Sequence, residues 1–198
     1  MSKTVEFFFD VGSPTTYLAW TQLPGIAERH GAELVYRPML LGGVFKATGN
    51  ASPAAVPLKG LYTRKDMQRY ARRYGVPLKQ NPHFPVNTLN CMRLLTAALN
   101  TPQWDTMLRA LFEGMWLRER KLDELEVLGA TLQEAGLDPA EWAARAQQPE
   151  VKDALKKTTE EAVSRGIFGA PTMFVGEEMF FGQDRLDWIE ERLSKSEQ

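Results

Sequence analysis

The chain has 198 residues, of which 24 are basic and 25 acidic, and its formal net charge is −1. This balance provides no overall attraction to nucleic acid or to an anionic membrane surface. The single cysteine, Cys91, excludes an intramolecular disulfide and any paired-cysteine motif, and we predict no metal site. Because no apolar run approaches the length of a membrane span and Met1 leads into a strand without a signal peptide, we expect a cytoplasmic protein.

The N-terminal stretch predicts a buried strand, a tight turn and a helix. Residues 7–9 are three phenylalanines, and the turn that starts at Asp10 leads to a helix that begins near Pro14. Ser13 therefore lies at a helix start, where unpaired N–H groups and the helix dipole stabilise an anion such as a thiolate. Considered alone, Ser followed by Pro indicates an ordinary helix cap.

The first helix and the segment after it predict a βαβ unit. The pair Pro24-Gly25 predicts a kink or an interruption in this helix, and Gly31 predicts its end. A second strand follows at residues 34–37. The two strands should be parallel neighbours in one sheet.

A long irregular segment and a block of helices come next. Residues 39–57 are rich in Gly, Pro, Ala and Ser, which predicts a loop with room for a short helix. Its charged and amide side chains are Lys46 and Asn50; the pattern favours a solvated loop, although loops of this length are often functional. We predict helices at residues 61–74, 87–99, 102–120, 123–135, 139–147 and 151–165.

The chain then returns to a β pattern. Strands are predicted at residues 173–175 and 179–181, and Gln183-Asp184 are predicted to cap a last helix. The order βαβ, helices, ββα is that of an α/β thioredoxin-like fold with a large all-helical insertion. We assign residues 1–45 and 160–198 to the thioredoxin-like domain and residues 46–159 to the insertion.

Five segments carry a resemblance to a known family: FDVGSPTTYLA, RPMLLGGVFKATGN, KGLYTRKDMQRYARRYG, FGAPTMFV and FFGQDRLDWIEE. The chain resembles the DsbA-like branch of the thioredoxin superfamily that contains kappa-class glutathione transferases and 2-hydroxychromene-2-carboxylate isomerases. Thiol oxidoreductases of this fold carry Cys-x-x-Cys in the first turn, where this chain has Ser13-Pro14-Thr15-Thr16. The first turn therefore has no thiol for redox chemistry.

The resemblance implies a glutathione site at the first turn. Ser13 would stabilise the thiolate of glutathione, since a free thiol has a pKa of about 8.5 and is mostly protonated at neutral pH. A cis peptide bond before Pro171 would let the Ala170 backbone pair with the peptide-like backbone of glutathione. The other matched positions are Gln183, Asp184 and Arg185 for the γ-glutamyl end, Asn50 for the glycyl end, Lys46 for a substrate carboxylate and Phe84 for the substrate pocket.

The resemblance leaves two enzyme functions open. An isomerase of aromatic catabolism would act on 2-hydroxychromene-2-carboxylate or a related aromatic pyruvate derivative and would use glutathione as a regenerated cofactor. A kappa-type transferase or peroxidase would consume glutathione against an aryl halide or a peroxide. Lys46 and the short, bacterial-style chain favour the isomerase. In both cases the resemblance implies a homodimer with a small-molecule substrate.

Other functions remain as alternatives with weaker support. In a non-catalytic thioredoxin-like binding module, Ser13 would only cap its helix and glutathione would not bind. A disulfide oxidoreductase is disfavoured, because Cys91 lies in a predicted apolar helix without a second cysteine. The sequence marks neither His30 nor His83 as a base for Ser13, which argues against a covalent serine nucleophile.

Overall fold

The structure is a computed structural model that describes residues 3–195; the outer limits of the predicted thioredoxin-like domain, residues 1 and 198, lie outside this range. The strands are β1 (Thr4–Phe9), β2 (Glu33–Pro38), β3 (Thr172–Val175) and β4 (Glu178–Phe181). They form one sheet in the order β2-β1-β3-β4, with β1 parallel to β2 and antiparallel to β3. The predicted thioredoxin-like arrangement is therefore confirmed.

Nine α-helices lie within residues 3–195, and most of them form the block between β2 and β3. None of these helices combines the length and the apolar character that are needed to cross a membrane. The helices are α1 (Pro14–Arg29), α2 (Leu41–Thr48), α3 (Pro57–Tyr74), α4 (Leu89–Ala98), α5 (Trp104–Trp116), α6 (Leu125–Glu134), α7 (Pro139–Ala146), α8 (Pro149–Ser164) and α9 (Leu186–Ser194).

β1 is a central strand whose side chains are buried on both faces of the sheet. Phe7 and Phe9 enter the main core, which includes residues of α1, α4, α5 and α9. Phe8 points the other way, into a smaller core with Val44 of α2 and Ala162 of α8. Full burial of a large apolar side chain contributes about 1.5–3 kcal/mol to the stability of the fold, and β1 has such side chains on both faces. The C-terminal end of β1 is therefore held firmly, and the turn with Ser13 begins there.

The main core continues from the sheet into the helical block. The ring centroid of Phe9 lies 6.1 Å from that of Phe112 and 6.3 Å from that of Trp104, both in α5. Helix α8 packs against β2, α2 and α4. The division into a thioredoxin-like domain and a helical insertion stays a prediction.

The irregular segment 39–57 contains the short helix for which the prediction left room. Helix α2 occupies much of it, and a 3₁₀ turn follows at Pro53–Ala55. The sequence signal is weak because Leu41-Gly42-Gly43 has low helix propensity. Partners from distant parts of the chain stabilise the start of α2 instead: the Leu41 N–H donates to Asp10 Oδ2 at 2.8 Å, and the Leu40 N–H donates to Thr159 Oγ1 at 3.0 Å.

Helix α1 is not interrupted at Pro24-Gly25, so that part of the prediction is wrong. A proline inside a helix removes one backbone hydrogen bond and costs roughly 3 kcal/mol. Here Leu23 and Ile26 on either side of the pair are buried in the main core, and their burial offsets this cost.

Smaller differences concern helix ends. Helix α3 begins at Pro57, earlier than predicted, because proline is well suited to the first helical position. Helix α5 ends at Trp116, before the predicted end, and Glu119 has a positive φ of 55°. The predicted cap at Gln183-Asp184 is instead a 3₁₀ turn, Gln183–Arg185, which leads into α9.

Candidate functional site

Ser13 is the N-cap of α1 and lies just beyond the end of β1. Its backbone is extended (φ −100°, ψ 119°), and its Oγ accepts a hydrogen bond from the Thr16 N–H at 3.2 Å. The Ser13 N–H in turn donates to Asp10 O at 3.2 Å and closes the turn. The side chain is largely buried at 6 % exposure. The hydroxyl thus lies at the positive end of a 16-residue helix and keeps a proton to donate.

Two further groups lie beside this hydroxyl, and we call Ser13, Thr15 and Ala170 the Ser13 cluster. Ser13 Oγ is 2.9 Å from Thr15 Oγ1 and 3.2 Å from Ala170 O, and Thr15 Oγ1 is 3.3 Å from Ala170 O. The Ala170–Pro171 peptide bond is cis. The structure therefore brings Ser13 together with Ala170 and Pro171 from the far end of the chain.

A buried carboxylate, that of Asp10, stabilises the turn by accepting three hydrogen bonds. Asp10 is 1 % exposed; its Oδ1 accepts from the Gly12 N–H at 2.9 Å, and its Oδ2 accepts from the Leu41 N–H and from Thr88 Oγ1 at 3.0 Å. Burial raises the pKa of Asp10 above its ordinary value, and the three hydrogen bonds oppose this rise. Asp10 thus ties the turn to the starts of α2 and α4.

Helix α5 also supports the turn. Trp116 is fully buried, and its Nε1–H donates to Val11 O at 2.8 Å. The turn also needs a glycine at position 12, because a Cβ there would lie only 2.8 Å from Thr88 Cγ2. Ser13 is therefore presented by a turn that is fixed on several sides.

The predicted γ-glutamyl segment lies next to the cis-proline segment. The Gly182 N–H donates to Pro171 O at 3.0 Å, and the following residue, Gln183, is buried. Tyr74 Oη donates to Gln183 O at 2.5 Å, and burial raises the pKa of this phenol, which keeps it protonated. Asp184 and Arg185 are exposed and form an ion pair with each other at 2.6 Å.

The three remaining predicted residues lie on two segments, Lys46 and Asn50 at and just after the end of α2, and Phe84 before α4. Asn50 is exposed, and its Nδ2 donates to Phe168 O at 2.8 Å, which places it beside the segment that leads to Ala170. Phe84 is half-buried, and its ring centroid lies 6.1 Å from that of Trp116, the residue that donates to Val11 O of the turn. Lys46 is exposed in the last turn of α2. Within residues 3–195, no hydrogen bond joins Lys46 to the Ser13 cluster.

The other candidate reactive groups are Cys91, His30 and His83. Cys91 is fully buried in α4, and burial raises the pKa of its thiol, which keeps it protonated. His30 Nε2 lies 3.7 Å from Glu190, and His83 is exposed. In the described part of the chain, no group of three or more His, Cys, Asp or Glu side chains could hold a metal ion.

Sequence reasoning missed several residues that shape this site, among them Asp10, Thr15, Tyr74 and Thr88. A signal existed for Asp10, since an acidic residue directly after three buried phenylalanines must find partners. Thr15 was visible only as a second hydroxyl two residues after Ser13. Tyr74 and Thr88 act through contacts with distant parts of the chain, which no local pattern reveals.

Comparison with known proteins places this geometry in a family. A family model described as a DSBA-like thioredoxin domain matches residues 4–194. The chain is 34% identical over 197 residues to 2-hydroxychromene-2-carboxylate isomerase of Sphingobium xenophagum, with 98% of this chain and 99% of that protein covered. It is 30% identical over 207 residues to glutathione S-transferase kappa 1 of Homo sapiens, with 96% and 90% covered.

Solved structures agree with this relationship. The structure of selenomethionine 2-hydroxychromene-2-carboxylate isomerase matches with a TM-score of 0.85 at 27% identity, covering 96% of this chain and 94% of that one. A probable DsbA oxidoreductase from Streptomyces coelicolor shares the fold, with a TM-score of 0.75 at 19% identity and with 99% and 92% covered. The chain therefore belongs to the DSBA-like thioredoxin family, in the branch that contains 2-hydroxychromene-2-carboxylate isomerases and kappa-class glutathione transferases.

Proposed function

We propose that this chain is a glutathione-dependent cis-trans isomerase that acts on 2-hydroxychromene-2-carboxylate or a related aromatic pyruvate derivative. The observation that carries the proposal is the Ser13 hydroxyl, which caps α1 beside the cis Ala170–Pro171 bond. Relatives named as isomerases and as glutathione transferases support an enzyme of this glutathione-related type. The isomerase activity and its substrate are our proposal.

Ser13 would stabilise the thiolate form of glutathione by two effects. A helix N-terminus contributes about 0.3–1 kcal/mol toward an anion, and a hydrogen bond to a charged group contributes about 1.5–3 kcal/mol. Because one pKa unit corresponds to about 1.4 kcal/mol, these effects together can lower the pKa of the thiol by about one unit or more. The thiolate would then be well populated at neutral pH.

The residues around the cluster fit the rest of glutathione. The γ-glutamyl end is a zwitterion, and the exposed pair Asp184 and Arg185 offers a carboxylate for its ammonium group and a guanidinium for its carboxylate. The Ala170 backbone would pair with the central peptide, and the Asn50 amide would contact the glycyl end. When bound, glutathione supplies a thiolate that adds to the substrate double bond and leaves again after rotation.

The substrate would be held by the residues that the resemblance indicates. Lys46 would neutralise the substrate carboxylate, since it is an exposed cation on α2, whose start is held by Asp10 of the turn. Phe84 would line the pocket from its position against Trp116. A homodimer and a cytoplasmic location are part of the same proposal.

A kappa-type transferase is the second candidate, because the human kappa relative covers almost the whole chain and the same serine would serve both reactions. The two functions differ in the fate of glutathione. An isomerase regenerates it in each turnover, whereas a transferase consumes it.

The deciding experiment follows 2-hydroxychromene-2-carboxylate and its trans-o-hydroxybenzylidenepyruvate isomer by absorbance, with and without catalytic glutathione. Isomerisation that requires glutathione without consuming it would support the proposal. An inert chromene together with conjugation of an aryl halide, or reduction of a peroxide, would identify a transferase instead. If the protein catalyses none of these reactions and calorimetry detects no glutathione binding, a non-catalytic binding module is the better description.

A further inference from the structure

Thr15 places a second hydroxyl beside Ser13, and the cap of α1 does not use it. Thr15 is half-buried in the first turn of α1, and its Oγ1 lies within hydrogen-bond distance of both Ser13 Oγ and Ala170 O. We infer that Thr15 is a positioning residue that frees the hydroxyl proton of Ser13 for the glutathione thiolate. This inference rests on the proposed function, because it concerns the thiol that Ser13 would stabilise.

The protons of the Ser13 cluster lead to this inference. Ser13 Oγ accepts from the Thr16 N–H and has one proton to donate, for which Ala170 O at 3.2 Å and Thr15 Oγ1 at 2.9 Å are the acceptors. To donate to a thiolate, the Ser13 hydroxyl must give up its hydrogen bond to one of these acceptors. The free energy that stabilises the thiolate is therefore the difference between the two hydrogen bonds, not the full free energy of one.

Thr15 reduces the cost of turning the Ser13 proton toward sulfur. Its own O–H can donate to one lone pair of Ala170 O at 3.3 Å, which replaces the Ser13 hydrogen bond when Ser13 turns away and leaves the second lone pair for the peptide of glutathione. Alternatively, it donates to the remaining lone pair of Ser13 Oγ, which makes the Ser13 O–H a stronger donor through cooperative polarisation. Both arrangements favour the thiolate over the thiol.

The substitution Thr15→Val tests this inference, because valine keeps the shape of threonine and removes the hydroxyl. The measurement is the pKa of the thiol of bound glutathione, titrated by the ultraviolet absorbance of the thiolate. We expect Thr15→Val to raise this pKa by about half a unit, which is an approximately threefold smaller thiolate fraction at a pH below the pKa. The variant Thr15→Ser, which retains a hydroxyl, should restore a pKa close to that of the unaltered protein.

Two control variants separate this inference from the proposed function. Thr21→Val makes the same change on the same helix, where Thr21 donates to Leu18 O, and should leave the thiol pKa unchanged. Ser13→Ala should raise the pKa by about one unit or more, since it removes the direct donor.

The possible outcomes are distinct. If Ser13→Ala raises the thiol pKa and Thr15→Val does not, the inference is wrong while the proposed function stands. If Ser13→Ala has no effect, or the unaltered protein does not bind glutathione, the proposed role of Ser13 fails and the inference fails with it. Should Thr15→Val not fold, Thr15→Ala replaces it in the same titration. The inference is supported if Thr15→Val or Thr15→Ala raises the thiol pKa and Thr15→Ser does not.

Discussion

The Ser13 side chain combines a structural and a proposed catalytic role, and the two can be separated by pH. Ser13→Ala removes the cap of α1, which costs about 1 kcal/mol of stability, and it also removes the donor to the thiolate. With the thiol pKa raised by about one unit, glutathione-dependent turnover near pH 7 should fall roughly tenfold. Its pH profile should move upward by about the same unit in steady-state assays.

The matched control for Ser13→Ala is the loss of a helix N-cap that is not part of the Ser13 cluster. Asp138 caps α7 through the Ala140 N–H at 2.8 Å and the Glu141 N–H at 3.1 Å, and Asp138→Ala should cost a similar stability. It should leave the pH profile of turnover unchanged. If both variants lower activity equally and shift no pH profile, Ser13 acts only as a cap.

Asp10 makes the stability of the fold depend on pH. Because burial raises its folded-state pKa above 3.8, its favourable contribution is fully present below about pH 3.8 and is lost as the pH rises through the folded pKa. Asp10→Asn resembles the neutral form at every pH. The free energy of unfolding of Asp10→Asn relative to the unaltered protein should therefore increase over this window, by about 1.4 kcal/mol for each unit of pKa rise.

Urea unfolding at several pH values between about 3.5 and 7 measures this difference. The control is Asp153→Asn on the exposed side of α8, which removes a carboxylate without burial and so separates the effect of burial from that of losing a carboxylate. A relative stability of Asp10→Asn that decreases with pH would mean that the hydrogen bonds from Gly12, Leu41 and Thr88 outweigh burial. The Asp10 pKa would then be lowered, not raised.

At the scale of elements, the turn after β1 is packed closely against the start of α4. Gly12→Ala would place a Cβ 2.8 Å from Thr88 Cγ2 and 3.3 Å from Asp10 Oδ1, and such overpacking typically costs about 1–3 kcal/mol. Thr88→Ser removes Cγ2 and keeps the hydroxyl that donates to Asp10. The cost of Gly12→Ala should therefore be smaller in the Thr88→Ser background.

A double-mutant cycle of chemical unfolding measures this coupling. We expect Gly12→Ala to weaken glutathione binding as well, since the turn also carries Ser13. Equal costs of Gly12→Ala in the two backgrounds would show that the turn relaxes away from α4, or that the strain lies at Asp10.

The sequence predicted well those elements whose conformation is determined by their own residues. β1 was visible as consecutive phenylalanines, and the start of α1 was visible from Ser13-Pro14. The pattern of residues 39–57 predicts a loop with room for a short helix but does not locate α2, because Asp10 and Thr159 hold the start of this helix, not its own residues. The role of Tyr74 was not predictable for the same reason, because its hydrogen-bond partner is the carbonyl of Gln183, far away in the sequence. The residues around Ser13 that came from the resemblance could not have been located by pattern alone.

At the scale of the whole molecule, the continuous core argues for a single cooperative unit. Phe9 of β1 packs on Phe112 of α5, and α8 of the helical block contacts β2 of the sheet. Neither contact was predictable, because both join residues that are distant in sequence. We therefore expect the sheet and the helical block to unfold together, although the chain order suggests an inserted subdomain.

Cys91 offers a direct test, because this fully buried thiol in the helical block can be labelled only when the block opens. Phe8→Ala creates a cavity in the smaller core on the opposite face of the sheet, and should cost about 3–5 kcal/mol. In one cooperative unit, the free energy of opening at Cys91 must fall by the same amount, measured from thiol labelling at several denaturant concentrations. Leu95→Ala in α4 is the control that should speed labelling in either case. Labelling that responds to Leu95→Ala but not to Phe8→Ala would show that α4 opens while the sheet and the smaller core around Phe8 stay folded.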